Sequence, residues 1–390
     1  MTVCGVVAEY NPFHSGHAHQ LAETRRRLGG DVRIVCAMSG NFVQRGGFAL
    51  LDKYARAEMA VRCGADLVVE TPLAAALSSA EGFARGAVDA LRALGCEALS
   101  FGAETPDEAL LERAAAALDA LEARGFTPEK GLSYAAARQN ALRKIDKQAA
   151  ALLDNPNNTL GIEYCRALRP YGMRPLAVRR EGAAHDGPSP AGGFASASFL
   201  RERLYADDAA ACAAYLPEAA RAVLEACALR GEAPVRLPED ALLALLRRAL
   251  FDGRLASGTA DGFDERLQKA VYQAVSFTDA ANRAATRRFP AARVRRALLR
   301  AVLDLPTDAP VQPQYLRVLA VGAKGRALLR NAPDELPVII KPVSEKRLPA
   351  ALQPALARDL YADDLFSLAL PRAELRAGGA HYRKTPFCVK

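Results

Sequence analysis

The chain has 390 residues, which allows two domains because a single hydrophobic core rarely grows beyond about 300 residues. It is 51% hydrophobic and 25% charged, with neither an apolar run that could span a membrane nor a signal peptide at its start, so we expect a cytoplasmic protein without membrane association. The net charge of +8 favours polyanionic partners such as nucleic acid.

The first half of the chain alternates short apolar strands with helices. The predicted strands cover residues 2–10, 31–39, 65–71 and 96–102. The predicted helices between and after them cover residues 16–28, 51–64, 79–94 and 106–124. This alternation is typical of βαβ units, in which helices cover both faces of a parallel sheet. A helical segment at 131–153, an Asn- and Pro-containing loop entering a helix within 154–168, and a fifth strand at 173–181 follow.

The second half differs from the first in composition and periodicity. Residues 182–198 are rich in Gly, Pro, Ala and Ser and are predicted to form a long loop at a domain boundary. Beyond Phe199, periodic Leu-, Ala- and Arg-rich segments indicate a mainly helical structure. The predicted breaks between helices lie at Pro217, Pro238, Gly253, Pro290 and Pro306. We therefore expect an α/β domain with a Rossmann-like parallel sheet over residues 1–190 and a mainly α-helical domain over residues 191–390.

Polar, Gly-rich sequence follows each of the first four strands: NPFHSGH, SGNFVQRGG, ETP and GAE. Because ligands of an open parallel sheet bind beyond the carboxyl ends of its strands, one shared site is predicted there. In the second loop, Ser39 and Asn41 are candidates to place an acyl group or ribose, and Arg45 to meet phosphate or RNA. A purely structural loop is the alternative. Glu70 is a candidate polar orienter or proton acceptor, with a salt bridge as the equal alternative.

Three of the five histidines lie in the first of these loops, at His14, His17 and His19. The sequence His-x-Gly-His falls at a strand-to-helix turn, where Gly16 lets the backbone approach a phosphate and the helix start directs free N–H groups at it. His14 and His17 can donate hydrogen bonds to α-phosphate oxygens as pyrophosphate leaves. The motif therefore predicts nucleotidylyl transfer with these two catalytic residues, against the alternative of a surface turn with incidental histidines.

The sequence contains no motif of other phosphate-binding folds and no pattern of metal ligands. The chain has neither a P-loop motif nor the Gly-x-Gly-x-x-Gly fingerprint of dinucleotide-binding folds. The eight cysteines are scattered, with no Cys-x-x-Cys pair and no histidine at metal-ligand spacing. We therefore predict neither disulfides nor zinc and assign no metal ligand.

Several longer segments resemble the tRNA(Met) cytidine acetate ligase family. They are GVVAEYNPFHSGH, MSGNFVQRGGFALLDKYARAEMA, GADLVVETPLAAALSSAEGFA, SFGAE, NNTLGIEY and ASASFLRERL, and they span residues 3–205. The resemblance continues more thinly through RVRRALLRAVL and YLRVLAVGAKGRALL. It implies an enzyme that uses ATP to adenylate acetate and transfers the acetyl group to N4 of the wobble cytidine of elongator tRNA(Met), releasing AMP and pyrophosphate. Mg²⁺ use stays open, and no obligate protein partner is implied.

The resemblance also implies an ATP site. Its first part is a continuous segment: Val7, Ala8, Glu9, Tyr10, Asn11, Pro12, Phe13, His14, Ser15, Gly16, His17, Ala18, His19 and Gln20. Its remaining positions are Gly102, Asn157 or Asn158, and Arg180.

The chemistry of these later residues fits the implied site. Gly102 would let a nucleotide pack against backbone, and Arg180 can clamp phosphate, whereas Arg179 is expected to face solvent by strand alternation. Capping of the following helix is the alternative for either asparagine.

Two positions depart from the family pattern. Thr71 stands where the family usually carries Leu, and Ala184 stands where it usually carries Tyr. Both departures bear on recognition of the acyl acceptor rather than on the use of ATP.

The densest basic segment lies in the second half. Over 18 positions it carries seven arginines and no acidic residue: Arg283, Arg287, Arg288, Arg293, Arg295, Arg296 and Arg300. We predict that this segment binds the phosphate backbone of tRNA, with a merely charged surface as the alternative. Phe289 and Tyr315 are candidates to stack on unpaired bases.

Two other functions fit the same motif. A small-molecule adenylyltransferase would use the His-x-Gly-His turn equally well but would leave the Arg-rich helical half without a role. A non-catalytic RNA-binding protein would keep the nucleotide site only as a sensor. Mutation of His17 separates the second case, because it would abolish turnover while tRNA binding survives.

Overall fold

The computed structural model describes residues 2–129, 131–180, 193–256, 259, 261–341 and 348–389. Its strands are β1 (Val3–Ala8), β2 (Arg33–Ser39), β3 (Phe42–Val43), β4 (Gly47–Phe48), β5 (Leu67–Thr71), β6 (Ala98–Ala103), β7 (Arg174–Arg179), β8 (Leu316–Val321), β9 (Val338–Ile339) and β10 (Phe387–Cys388). Its helices are α1 (Ser15–Leu28), α2 (Lys53–Arg62), α3 (Leu73–Ala76), α4 (Ala80–Ala93), α5 (Glu108–Ala123), α6 (Tyr134–Ile145), α7 (Lys147–Leu152), α8 (Pro156–Leu168), α9 (Ala197–Tyr205), α10 (Glu218–Leu229), α11 (Glu239–Phe251), α12 (Phe263–Gln273), α13 (Phe277–Ala284), α14 (Ala291–Val302) and α15 (Gln353–Ser367).

One mostly parallel sheet carries the fold, with strand order β10-β8-β5-β2-β1-β6-β7 and β9 paired to β8. Strands β5, β2, β1, β6 and β7 run parallel to one another, whereas β8 runs antiparallel to β5. The carboxyl ends of β1, β2, β5, β6 and β7 therefore meet at one edge, which the amino end of β8 extends. The predicted α/β fold class is confirmed, and all five strands predicted for the first half are present.

Alternate residues of the central strands pack into two different cores. Val3 and Val35 lie in the core formed with α4, α5 and α8, whereas Cys4 and Ile34 lie in the core formed with α2 and α10. Because both faces are covered, these strands are apolar at almost every position and show little polar alternation. This explains why runs such as TVCGVVA are recognisable as buried strands.

The structure divides one predicted helical segment into two helices. The segment predicted as helical over 131–153 forms α6 and α7, because Asp146 ends the first and its side chain accepts a hydrogen bond from the Ala149 N–H (3.0 Å) at the start of the second. Helices α11 to α14 pack around a separate apolar core, as the mainly helical second half predicts.

Ala184 lies outside the described residues. No helix among the described residues is both long and apolar enough to cross a membrane.

Strand β8 was not anticipated by the sequence analysis. Its residues Leu316–Val321 come from the half expected to be mainly helical, yet all six are buried in the sheet beside β5. The division of the chain near residue 190 stays a prediction, and the sheet of the first half is completed by strands from the second.

A cluster of buried charges joins β8 and α15 to the rest of the sheet. The Lys53 ammonium, 1% exposed, lies 2.8 Å from Glu70 Oε1 on β5 and 2.8 Å from Asp363 Oδ1 on α15. The Arg317 guanidinium on β8, also 1% exposed, lies 2.9 Å from Asp363 Oδ2. Charges this deeply buried are tolerated only because each faces an opposite charge.

We predict that Lys53→Met lowers the free energy of unfolding by about 3–5 kcal/mol, because it leaves two buried carboxylates short of a cation. Guanidinium denaturation followed by circular dichroism measures the change. The matched control is Arg26→Met, which removes an exposed partner of Glu23 and should leave stability almost unchanged. Equal stability of Lys53→Met and wild type would contradict this account of the cluster.

Candidate active site

Both histidines of the His-x-Gly-His turn are fixed by backbone N–H groups. His14 caps α1 in an extended conformation, and its Nδ1 accepts a hydrogen bond from the Gly16 N–H at 3.1 Å. His17 Nδ1 accepts from the His14 N–H at 3.2 Å, which completes a capping box built from two imidazoles. Because each Nδ1 is an acceptor, the proton of each neutral ring lies on Nε2.

Burial keeps both imidazoles neutral. The two rings stack with centroids 3.7 Å apart. Burial lowers the pKa of His14 to about 3, and the charges of Arg180 and Arg201 act in the same direction. Burial also lowers the pKa of His17 well below its ordinary value, with contributions from His14 and Arg180. At neutral pH the pair therefore offers two Nε2–H donors without a charge of its own.

Two glycines of the predicted site make room for functional side chains. A Cβ at Gly16 would lie 3.0 Å from His14 Cε1, so a larger residue would press on the ring that caps the helix. A Cβ at Gly102 would lie 3.2 Å from Arg180 Cγ. The absence of a side chain at Gly102 therefore lets the Arg180 side chain cross the end of β6. The contact of Gly102 with a nucleotide stays a prediction.

The two candidate asparagines have different surroundings. Asn157 Oδ1 lies 3.5 Å from Arg180 Nη1, and its Nδ2 donates to Glu104 at 2.6 Å. Asn158 is fully buried, and its Oδ1 accepts from the Thr105 N–H at 2.9 Å. Glu104 also accepts from the Asn158 N–H (2.9 Å), so a carboxylate satisfies the start of α8 rather than either asparagine side chain. Asn157 is thus the one of the pair that touches Arg180.

A cleft at the carboxyl edge of β1, β6 and β7 brings much of the predicted site together. Its walls are formed by His14, Gly16, His17, His19, Gln20, Gly102, Val178, Arg179, Arg180, Phe194, Ala195 and Ser196. Seven of these residues were predicted for the ATP site. Arg179 is exposed, as expected, and also lines the cleft. His19, outside the motif, lies at the wall with its ring centroid 5.9 Å from that of Phe194.

Other residues of the 7–20 segment support the histidines from behind. The Tyr10 and Phe13 rings are buried and lie 4.8 Å and 5.5 Å from the His17 ring. Glu9 accepts a hydrogen bond from the Gln44 N–H at 2.6 Å, and burial raises its pKa. These side chains orient the turn, and their predicted contact with ATP stays a prediction.

Helix α9 supplies residues that the site prediction missed. Ser196 caps this helix at the cleft wall by accepting from the Phe199 N–H at 3.1 Å. Arg201 Nη1 donates to the Asn11 carbonyl at 2.9 Å, within the loop that carries His14. The segment ASASFLRERL shows a serine cap before a helix. That signal marks a helix start, but only the fold brings it to the first strand.

The polar side chains in and near the loop after β2 mainly contact other groups of the protein. Asn41 is 3% exposed, donates to Asp363 at 3.0 Å and accepts from the Lys53 N–H at 2.8 Å. Ser39 is fully buried. Glu70 forms the salt bridge with Lys53 that was the alternative to a catalytic role. These contacts favour the structural alternative for Asn41 and Glu70. The Arg45 carbonyl accepts a hydrogen bond from Arg295 Nε on α14 at 3.1 Å.

The fold and the turn together define a class of protein. Two neutral Nε2–H donors, a helix start and Arg180 meet at one strand end, an arrangement suited to stabilise negative charge on a phosphoryl group. The chain matches the family model of the HIGH nucleotidyl transferases over residues 1–380.

Known proteins narrow this class further. The tRNA(Met) cytidine acetate ligase of Syntrophotalea carbinolica is 39% identical over 356 residues, which cover 85% of this chain and 82% of the relative. The corresponding ligase of Caldanaerobacter subterraneus is 34% identical, covering 95% and 96%. Crystal structures of Thermotoga maritima TmcAL, apo and bound with alpha-thio ATP, superpose with TM-scores of 0.88 and 0.87 at 29% identity over the full length of both chains. The chain belongs to the tRNA(Met) cytidine acetate ligase family, as the sequence resemblance predicted.

We predict that the imidazoles of His14 and His17 stay neutral, with the proton on Nε2, as the pH falls from 8 to 5. Two-dimensional ¹H–¹⁵N spectra of the ring nitrogens, assigned with His14→Asn and His17→Asn, report the tautomer directly. Since both folded-state pKa values are lowered, protonation favours the unfolded chain, and stability should fall as the pH drops from about 6.5 towards 3. A protonated pair at pH 6 would contradict the capping arrangement.

Proposed function

We propose that the protein is an ATP-dependent ligase that activates acetate as acetyl-adenylate and transfers the acetyl group to N4 of the wobble cytidine of elongator tRNA(Met). The stacked, neutral His14–His17 pair at the start of α1 is the observation that carries this proposal. The names of the relatives and the alpha-thio ATP complex of the Thermotoga protein support the substrates.

In the first step, an acetate oxygen attacks the α-phosphorus of ATP, and the bond to the bridging oxygen of pyrophosphate breaks. Negative charge grows on the α-phosphoryl oxygens in the transition state. The Nε2–H groups of His14 and His17 donate hydrogen bonds there, and the start of α1 adds its partial positive charge. Because both rings are neutral, the site does not need a proton transfer to become active.

In the second step, the N4 amine of cytidine attacks the carbonyl carbon of acetyl-adenylate. The bond between that carbon and the AMP oxygen breaks, AMP leaves as an anion, and one proton of the amine passes to water. The donors that hold the α-phosphoryl group also stabilise the leaving AMP. No covalent bond to the protein is needed in either step.

The tRNA surface is proposed on the arginines of α14 and the segment before it. Two of the seven have acidic partners from elsewhere in the chain: Arg283 lies 2.8 Å from Asp279 and Arg293 lies 3.0 Å from Asp261. Arg287 is exposed. Phe289 is buried with the Arg288 and Arg293 guanidinium groups each 5.2 Å from its ring centroid, so a base-stacking role does not fit it.

Arg295 and Arg296 connect α14 to the loop after β2. Arg295 Nε donates to the Arg45 carbonyl at 3.1 Å, and Arg296 Nη1 donates to the Gln44 carbonyl at 3.0 Å. Burial lowers the pKa of Arg296 to about 10, with added repulsion from Arg295 and Arg293. These arginines lie beside the loop after β2 and repel one another. A polyanion bound there would relieve the repulsion, which supports RNA binding where α14 meets this loop.

Incubation with ATP, labelled acetate and total bacterial tRNA, followed by digestion and mass spectrometry of nucleosides, tests the function. We expect N4-acetylcytidine that depends on ATP. His17→Asn should reduce its formation by at least about a hundredfold, since a hydrogen bond to the transition state is lost. tRNA binding by this variant should stay within about twofold of wild type, because the substitution removes no cation that could contact the phosphate backbone.

Gln148→Asn is the matched control, because this residue lies exposed on α7, does not line the cleft and should leave activity unchanged. Pyrophosphate release without acetylated cytidine would assign the adenylation chemistry to another acceptor, as in a small-molecule adenylyltransferase. tRNA binding with no turnover of any acid would instead indicate a nucleotide-sensing RNA-binding protein.

A further inference from the structure

An open groove with a volume of about 360 Å³ lies on the helical half of the chain. It runs between the turn that follows α11, the C-terminal part of α14 with the turn after it, and α15. Its volume lies within the range of small-ligand sites, so a phosphate group with its attached sugar has room there. None of its residues lines the cleft around His14 and His17. The polar groups of its walls belong to Arg254, Arg300, Asp304, Thr307 and Arg358.

Arg358 presents a guanidinium group that the protein uses only in part. Its Nε donates to the Asp304 carbonyl at 3.0 Å, which fixes the direction of the group. Among the residues that the structure describes, neither of its Nη groups has a hydrogen-bond partner and no carboxylate lies within ion-pair distance of it. A planar fork with free donors is the geometry that binds two oxygens of one phosphate.

Arg300 adds a second cation, and carbonyl groups rather than carboxylates hold it. Its Nη1 donates to the Ala74 carbonyl at 3.5 Å, and its Nη2 donates to the carbonyls of Pro306 and Thr307. Asp308 acts on its charge only from beyond ion-pair distance. Carbonyl partners fix a guanidinium in place without cancelling its charge, so Arg300 can still attract an anion.

Arg254, the third arginine of the groove, contributes less charge. Its guanidinium lies 3.0 Å from Asp304 Oδ1 and 3.0 Å from Asp252 Oδ2, and Asp252 also pairs with Arg248 at 2.9 Å. These two arginines and two aspartates balance one another. The positive charge available to a ligand therefore lies mainly on Arg300, and such fixed cations favour a polyanion in the groove.

The same applies to Arg358, which faces the groove from α15. Arg300 and Arg358 come from different helices, so the chain fold, rather than one basic run of the sequence, brings the two cations to one groove. Phosphate backbones are bound by this kind of contact without regard to base sequence.

An exposed aromatic ring lies next to the groove. Phe251, the last residue of α11, is 83% exposed. The Arg248 guanidinium lies 5.5 Å from its ring centroid and shares Asp252 with Arg254, which lines the groove. Unpaired bases of RNA stack on exposed aromatic rings beside arginines. Phe251 suits that role, whereas the two stacking candidates of the sequence analysis, Phe289 and Tyr315, are both buried.

The groove begins beside the edge of the sheet that carries the histidine turn. Arg300 contacts Ala74, which lies in α3 directly after β5. Strand β5 ends at the same edge as β1 and lies two strands away, a separation of roughly 10 Å. One RNA molecule can therefore contact both the groove and the histidine cleft.

We propose that this groove holds a single-stranded stretch of the tRNA, with its phosphates bound by Arg300 and Arg358 and one unpaired base stacked on Phe251. The inference rests on the proposed function, because it takes tRNA as the substrate. It extends the RNA surface from α14 to α11 and α15, beyond the basic segment predicted from the sequence.

The salt dependence of tRNA binding tests the phosphate contact. Dissociation constants are measured by fluorescence anisotropy over a series of KCl concentrations for wild type and Arg358→Gln. The variant should bind about fivefold more weakly at about 0.1 M salt, and the slope of log K against log salt should fall by about 0.7 to 0.9, because one fewer phosphate is neutralised. Arg358→Lys keeps the charge and should keep the wild-type slope.

Arg143→Gln is the matched control, because Arg143 is exposed on α6, which packs against α5 and α7. It should leave both the affinity and the slope unchanged. An unchanged slope in Arg358→Gln would overturn the proposal. An equal change in Arg143→Gln would also overturn it, because the effect would then follow from net charge rather than from the groove.

Substitutions of Phe251 test the stacking contact separately. Phe251→Leu should weaken tRNA binding about tenfold with no change of slope, because a ring without charge is lost, and Phe251→Tyr should bind like wild type. Leu229→Ala, at a 90% exposed position on α10, is the control and should bind like wild type. If Phe251→Leu left tRNA binding unchanged but altered the sedimentation of the protein, the ring would contact a second copy of the chain, and the stacking proposal would be overturned.

Two activity assays separate failure of this inference from failure of the proposed function. Acetate-dependent exchange of pyrophosphate with ATP should equal that of wild type in every variant, which shows that the adenylation site is intact. If wild type acetylates tRNA but the groove variants bind it normally, only the groove is overturned. If wild type neither binds nor acetylates tRNA, both proposals are overturned.

Discussion

The site depends on two backbone hydrogen bonds at the start of α1. The Gly16 N–H donates to His14 Nδ1 and the His14 N–H donates to His17 Nδ1, so helix formation itself sets the tautomer of both rings. The helix needs partners for its first N–H groups, and the reaction needs donors for a phosphate. In the proposed mechanism, one pair of side chains serves both needs. This coupling also explains why residue 16 is glycine, since a Cβ there would press on the capping ring.

The second half of the chain helps to position the loops of the active site. Strand β8 completes the sheet beside β5, and its Arg317 joins the buried cluster formed by Lys53, Glu70 and Asp363. The cluster ties α15 to the sheet edge from which the active-site loops emerge. Arg295 and Arg296 hold the loop after β2 from the other side. The proposed RNA-binding half therefore supports the nucleotide-binding half through the buried charge cluster and through the hydrogen bonds of two arginines on α14.

The sequence predicted what local patterns encode. Continuous apolar runs between helices identified five parallel strands, and the His-x-Gly-His turn identified the reaction class. Strand β8 was missed because a short apolar run resembles a buried helix segment, and its partner β5 is remote in the chain. The same remoteness hid the partners of Asn41 and Glu70, which are Asp363 and Lys53. The state of the imidazoles depends on burial and backbone geometry, which a motif alone does not report.

The most direct measurement is a crystal structure of the protein with a non-reactive acetyl-adenylate analogue in which a sulfamate replaces the α-phosphate. We expect oxygens of the sulfamate within about 3 Å of both His14 Nε2 and His17 Nε2, with the two Nδ1 atoms still accepting from the backbone. A sulfamate bound away from these atoms, or histidines turned so that Nδ1 faces the ligand, would contradict the account of how this fold stabilises the adenylate.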